Sequence, residues 1–429
     1  MIIPPIKRPI NKIIEVPSDK SITHRAMIIS SIAEGKSTIF NPLECYDTHN
    51  TLKCMEKLGA RIEKKEDKII IHGIKKLNSS QLDVGNSGTT LRLLTGLLSG
   101  YEGEKFILDG DESIRKRPMQ RVIEPLACMG AKIAGNNGNA PVIVYGKKLK
   151  GIDYNLEIPS AQLKSAILLA GLNASEKTTI VEKNPSRNHT ELMLAAFGAG
   201  IKHGGHHNHH ENIELVPSAL KGRKIKIGGD FSSGAFFLVL GALLKNSYLK
   251  IENAGFNPTR TGMWNVLRKC GANTGFTKLR SDNGEAYADI EIEGGNVLKP
   301  FYIKTEQIPL LIDEIPILCV LACFIEGESI IEGCGELKYK ESNRLIAICE
   351  ELSKLGADIE ILGSMRDIIR IRGKGFLKGG QVFSHGDHRI AMALSIALSL
   401  SQKGGEVLGS DCVGVSFPNF FETLRGLTK

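Results

Sequence analysis

Aromatic residues are scarce in this chain: 6% of 429, with a single Trp. Single-strand nucleic-acid binders interleave Lys and Arg with rings on which bases stack. No such cluster occurs here, so the formal net charge of +8 points to a small anionic partner rather than to nucleic acid. Long apolar runs are missing too. The stretch from Ile317 to Ile325 falls well short of the roughly 20 residues that span a bilayer, and Met1 to Pro9 has no continuous apolar core of signal-peptide length. A cytoplasmic protein with no membrane partner is therefore expected. The nine cysteines are odd in number, scattered, and include no CxxC pair, which argues against a disulfide framework. Cys319 and Cys323, four apart in an apolar run, read as one helix face in the core.

Two motifs that would signal cofactor chemistry are incomplete. Gly35-Lys36-Ser37 has the ending of a Walker-type phosphate loop, but Ser30 stands where its first Gly is required. His203, His206, His207, His209 and His210 form a His-rich stretch able to take Ni or Zn adventitiously, without visible orienting partners. No metal and no cofactor are expected.

What is present is a recurring polar turn between a β-like run and an apolar helix pattern. The six turns are Val16-Pro17-Ser18-Asp19-Lys20-Ser21, Val84-Gly85-Asn86-Ser87-Gly88-Thr89, Ile158-Pro159-Ser160-Ala161-Gln162, Ile227-Gly228-Gly229-Asp230-Phe231-Ser232, Ile312-Asp313-Glu314 and Ser384-His385-Gly386-Asp387-His388-Arg389. Ser, Asp and Asn cap helix N-termini with side-chain oxygens. A helix start carries partial positive charge and free N–H donors, and so attracts anions.

A second signal recurs in phase with the first. Gly59, Gly130, Gly198, Gly271 and Gly356, each followed by Ala, and then Gly426, end helix-like patterns at intervals of about 70 residues. Alternating runs follow, such as Arg61-Ile62-Glu63 returning through Ile69-Ile70-Ile71, and these read as half-buried strands. The pattern predicts an α/β fold of two pseudo-symmetric domains, each with three copies of the repeat. Residues 86–99 and 160–173 are apolar nearly all round and so predict buried helices. Helices would lie inside and sheets outside.

Chemistry concentrates at the turns. Lys20 and Ser21 would open one helix with Arg25 a turn later, a point charge and a planar fork suited to phosphate and carboxylate. Arg92, Lys164 and Arg389 recur at equivalent places. Lys340, Glu341 and Arg344 set a carboxylate between two cations, with Lys340 and Arg344 read as one helix face, and such a carboxylate can serve as general acid or base. Asp313-Glu314 interrupts an apolar stretch and needs partners or a cavity. Arg117 and Arg187 lie on intervening loops able to reach inward.

At these residues the chain resembles the 3-phosphoshikimate 1-carboxyvinyltransferases (5-enolpyruvylshikimate-3-phosphate synthases) of the enolpyruvyl transferase family. The matching stretches are Pro17 to Arg25, Gly85 to Arg92, Arg117-Pro118, Ser160-Ala161-Gln162, Asp313, Lys340 to Arg344 and Asp387-His388-Arg389. The resemblance implies an inside-out α/β barrel pair: residues 1–17 with 228–429 as a discontinuous domain, 18–227 inserted, and the active site in the cleft. It implies a transferase of aromatic amino-acid biosynthesis, in the shikimate pathway to chorismate. Such an enzyme moves the enolpyruvyl group of phosphoenolpyruvate to the 5-hydroxyl of shikimate 3-phosphate and releases phosphate through a tetrahedral intermediate, with domain closure.

Carried over, Lys20, Ser21, Arg25, Ser160, Ala161, Gln162, Arg187, Asp313 and Lys340 would bind shikimate 3-phosphate. Lys20, Gly88, Thr89, Arg117, Gln162, Arg344 and Arg389 would bind phosphoenolpyruvate. Glu341, Asp313 and Lys20 would be catalytic. Arg187 stands in a loop that lacks the Tyr of many members, and Gly414 to Pro418 lacks the Lys they place before Phe-Pro. Gly88 would leave room for glyphosate.

Two alternatives compete. A UDP-N-acetylglucosamine enolpyruvyl transferase shares the repeats but expects a reactive Cys on a loop, and Arg115–Pro118 holds none. A nucleic-acid-binding or phosphate-cyclising protein with related repeats is suggested only by the charge. The chain is expected to work as a monomer.

Overall fold

In the computed structural model, which describes residues 1–207 and 210–427, five of the six polar turns end in a side-chain cap on a helix N-terminus. The Asp19 carboxylate accepts from Ile22 N–H, Ser87 Oγ from Thr90 N–H, Ser160 Oγ from Leu163 N–H, Asp230 from Ser232 N–H and Asp387 from Arg389 N–H. The helices they start are Lys20–Ile32, Gly88–Leu98, Ala161–Gly171, Phe231–Leu243 and His388–Leu400. The turn at Asp313 differs. Its helix, Ile315–Cys323, begins with Pro316 in its first turn and has no side-chain cap. Proline fits there because the first N–H groups of a helix have no intrahelical partner.

These six helices form the interiors. The Phe231, Ile315 and His388 helices are buried along almost their whole lengths, Cys319 and Cys323 included. Strands with one buried face surround them. The chain divides into two units, Met1–Pro17 with Gly228–Arg280 and Ala286–Lys429, and Ser18–Ile227 with Ser281–Glu285. Each unit has its own apolar core.

Among the described residues the strands form six small sheets on one plan. The strand before a central helix pairs in parallel with the strand after it, as Ser80–Asp83 does with Lys105–Asp109 and Asp153–Leu156 with Thr178–Glu182. An antiparallel hairpin completes the sheet, for example Lys132–Asn136 with Asn139–Tyr145. The parallel pair is a β-helix-β crossover, which needs a helix-length connection. Left-handed backbone at Gly59, Gly130, Gly198, Gly271 and Gly356 (φ between 92° and 112°) stops the helices that lead into these hairpins. Gly426 instead ends its helix without that conformation.

Two sheets depart from strict succession. Asn11–Ile14 precedes the Lys20 helix but pairs with Tyr248–Gly255, the strand after the Phe231 helix. Lys224–Lys226 precedes the Phe231 helix but pairs with Lys36–Phe40, the strand after the Lys20 helix. Each of these strands therefore pairs within its own unit, while the helix it precedes in sequence belongs to the other. The sixth sheet is completed by Ile2–Ile3, which pairs with Gly405–Leu408.

Candidate functional site

Two polar clusters hold the residues singled out from the sequence, one in each unit. In the Ser18–Ile227 unit, Lys20 is the first residue of its helix, and its Nζ lies 3.1 Å from Asp47 Oδ2. Ser21 follows, and its carbonyl oxygen accepts from Arg25 Nη1 at 3.0 Å. Arg25 is buried. Its Nε donates to Thr190 Oγ1 at 2.6 Å and its Nη2 to Ser165 Oγ at 2.8 Å. Burial pulls the Arg25 pKa down to about 10, against the pull of Glu191 and Asp19, and nearby Arg187 lowers it further.

The second and third turns meet beside this group. Arg117 donates from Nη2 to Asn86 Oδ1 at 2.9 Å. A Cβ built on Gly88 would lie 2.7 Å from Arg117 Nη1, so the helix start and the guanidinium are in close approach. Gln162, in the helix capped by Ser160 and opened by Ala161, donates from Nε2 to Thr89 Oγ1 at 3.0 Å and accepts from Arg92 Nη1.

The cluster of the other unit centres on Arg344, whose side chain is 1% exposed. Its Nε donates to Asp387 Oδ2 at 2.7 Å, Nη1 to Asp313 Oδ1 at 3.1 Å and Nη2 to Glu341 Oε2 at 2.5 Å. Burial works against the charged guanidinium, but Asp387, Glu341 and Asp313 outweigh it and raise the pKa above the ordinary Arg value. Asp387 shows the reverse: burial opposes its ionisation, and Arg344 overcomes that and holds its pKa below 3.8. Lys340 Nζ stands 3.7 Å from Asp313 Oδ1 and Arg389 Nη2 3.7 Å from Asp313 Oδ2, while Arg389 Nη1 donates to the Asp313 carbonyl at 3.3 Å. Three cations thus converge on Asp313, and Glu341 sits on one of them with its side chain 24% exposed.

Three sequence readings need correction. Lys340 and Arg344 do not share a helix face: the helix begins at Arg344, and Lys340 lies in extended backbone after the short helix Cys334–Tyr339. The two reach Asp313 by different routes. Lys164 does not belong with the site cations either. It is fully buried, with Nζ 2.7 Å from Glu182 and 2.6 Å from Glu191, and it also donates to the Ser186 carbonyl. A buried ammonium with two carboxylates is a structural element whose geometry offsets its desolvation. At the fourth turn the helix start is engaged from within the protein, since Arg260 Nη2 donates to the capping Asp230 at 2.6 Å and to Ser232 at 3.1 Å.

Sequence reasoning missed Asp47, Ser165 and Thr190, the partners of Lys20 and Arg25, because nothing local ties them to those cations. In the His-rich stretch, Asn208 and His209 lie outside the described residues. Among the described residues no group of three or more His, Cys, Asp or Glu side chains is arranged to hold a metal ion. No helix there is long and apolar enough to cross a membrane.

The profile of the EPSP synthase family, 3-phosphoshikimate 1-carboxyvinyltransferase, matches residues 5–424. The chain is 47% identical over 422 residues to the 3-phosphoshikimate 1-carboxyvinyltransferase of Thermoanaerobacter sp. (strain X514), covering 97% of each. It is 45% identical over 429 residues to that of Bacillus pumilus (strain SAFR-032), covering 98% of each. Among solved structures, EPSP synthase from Acinetobacter baumannii matches with a TM-score of 0.86 and 39% identity over 99% of this chain and 97% of that one. The enolpyruvyl transferase NikO of Streptomyces tendae, at 16% identity, shares the fold with a TM-score of 0.76 over 99% of this chain and 96% of that one.

Proposed function

The chain belongs to the EPSP synthase family, and we propose from that premise how its two clusters divide the work of one reaction. The reaction is transfer of the enolpyruvyl group of phosphoenolpyruvate to the 5-hydroxyl of shikimate 3-phosphate. The observation that carries this reading is the extent of the match, since residues 5–424 take in every residue of both clusters. The matched relatives carry the 3-phosphoshikimate name, which leaves the UDP-N-acetylglucosamine alternative less supported.

Both substrates are polyanions, and unlike charges about 4 Å apart attract by about 4 kcal/mol at an effective dielectric near 20. Lys20, Ser21, Arg25, Ser160, Ala161, Gln162 and Arg187 are proposed to anchor shikimate 3-phosphate, with Asp313 and Lys340 on its hydroxyls. Lys20, the Gly88 helix start, Thr89, Arg117, Gln162, Arg344 and Arg389 are proposed to hold phosphoenolpyruvate. The hydroxyl oxygen bonds to the central carbon of phosphoenolpyruvate as Glu341 protonates the methylene carbon, giving a tetrahedral intermediate. The Glu341 carboxylate then takes back a methyl proton as the phosphate group leaves, which restores the double bond. Asp313, or Lys20 as the neutral amine, takes the hydroxyl proton. Domain closure would exclude water and fix the attacking oxygen. The chain is proposed to act as a cytoplasmic monomer, without nucleic acid.

Mixing the protein with both substrates and measuring released phosphate tests the reading. Release is expected only with both present, and to collapse in Glu341→Gln and in Lys20→Met. Release from phosphoenolpyruvate and UDP-N-acetylglucosamine instead would overturn it.

A further inference from the structure

Between the helix starts that present Lys20 and Gly88 runs a buried chain of hydrogen bonds to which the reaction assigns no role. His24, one helical turn after Lys20, has Nδ1 2.6 Å from Thr51 Oγ1. Thr51 Oγ1 lies 2.6 Å from Thr90 Oγ1, two residues after Gly88. Thr90 Oγ1 donates to Ser87 Oγ at 2.7 Å, and Ser87 Oγ also caps the Gly88 helix. His24, Thr51 and Thr90 are fully buried and Ser87 nearly so. Thr51 belongs to the helix Tyr46–Lys57, which also supplies Asp47 to Lys20 one turn earlier. That helix therefore grips both substrate-facing helix starts.

We propose that His24 is a positioning residue: through Thr51 and Thr90 it sets the Lys20 helix start against the Gly88 helix start. The inference rests on the proposed substrate roles of Lys20 and Gly88. The protons fix its sense. Thr90 gives its proton to Ser87, so the short Thr51–Thr90 contact needs the Thr51 proton, which the Asp47 carbonyl meets only at 3.4 Å. His24 must then donate from Nδ1. Its Nε2, which has no hydrogen-bond partner among the described residues, is left as a bare acceptor. The opposite sense would spend the Thr51 proton on Nδ1 and leave the 2.6 Å Thr51–Thr90 contact without one. Burial, with Lys20 and Arg25 adding repulsion, keeps the imidazole neutral.

Three measurements test this. Nitrogen NMR of the imidazole should show the neutral Nδ1–H tautomer, and an Nε2–H tautomer would overturn the proposed sense. His24→Phe, which keeps volume but removes the donor, should raise KM for both substrates and lower kcat, together by about tenfold or more in kcat/KM. His24→Asn places an amide donor near Nδ1 and should restore most of that loss. Equal impairment of both variants, or wild-type kinetics in His24→Phe, would overturn the proposal. Should His24→Phe fail to fold, Thr51→Val breaks the same chain and is held to the same kinetic outcome. Absence of turnover in the unaltered protein would count against the reaction itself, while the tautomer stays measurable without it.

Discussion

In the Ser18–Ile227 unit three guanidiniums have neutral hydrogen-bond partners, Arg25 with Thr190, Ser165 and a backbone carbonyl, Arg117 with Asn86, and Arg92 with Gln162, while Lys20 pairs with Asp47. In the other unit Arg344 meets Asp387, Asp313 and Glu341 at once, and Lys340 and Arg389 both face Asp313. Neutral partners hold a guanidinium in place without cancelling its charge, although Glu191 and Asp19 also act on Arg25. Carboxylates cancel charge but bring groups that accept and release protons. Under the proposed reaction the contrast suits the first cluster to anchoring and the second to proton transfer, and each of the following substitutions would break or sharpen it.

Glu341→Gln should have the largest effect. It removes the proposed acid while Asp387 and Asp313 still neutralise Arg344, so kcat should fall by about 10²–10⁴ with little change in melting temperature. An equal fall in stability would make Glu341 a structural member of the ion network. Lys20→Met comes next. It should raise both KM values as well as lower kcat, the mark of a lost anchor, and steady-state kinetics separate the two patterns.

Lys164→Met provides the control for buried charge in the anchoring unit. It strands Glu182 and Glu191, so denaturant unfolding should show a loss of about 3–5 kcal/mol. The folded fraction should retain substrate affinity if Lys164 is structural. Acid supplies a milder test of the other cluster. Asp387 has a folded pKa below the 3.8 of the unfolded chain, so its stabilisation is fully present above 3.8 and is lost as pH falls through the folded value. Melting temperature should therefore drop less steeply with acid in Asp387→Asn than in the unaltered protein.

Local signals in the sequence carried the fold a long way. Asp19, Ser87, Ser160, Asp230 and Asp387 cap their helices because a short polar side chain needs only the next turn to bond to, and the Gly-Ala stops obey equally local backbone rules. The pairing of Asn11–Ile14 and of Lys224–Lys226 was not legible from local signals, because a parallel strand chooses a partner far along the chain, and only the family resemblance placed residues 1–17 with 228–429. The same distance problem hid Asp47, Ser165 and Thr190. It also made Lys164 look like a site cation: it lies near the start of a capped helix as Arg92 and Arg389 do, though the three stand four, five and two residues after their caps, and only the arrival of Glu182 and Glu191 decides its role.

The smallest effect is expected at Gly88, where the anchoring cluster is tightest. An added Cβ would stand 2.7 Å from Arg117 Nη1, too close for any real contact, yet the atom in the way is the end of a flexible side chain. Gly88 has no left-handed backbone to lose. Gly88→Ala should therefore leave the melting temperature nearly unchanged while Arg117 shifts and strains its bond to Asn86. The KM for phosphoenolpyruvate should rise several-fold, the KM for shikimate 3-phosphate much less, and inhibition by glyphosate should weaken. If both KM values rose together, Arg117 would be serving the whole cluster rather than one substrate, and the division between the two ligands within this unit would have to be redrawn.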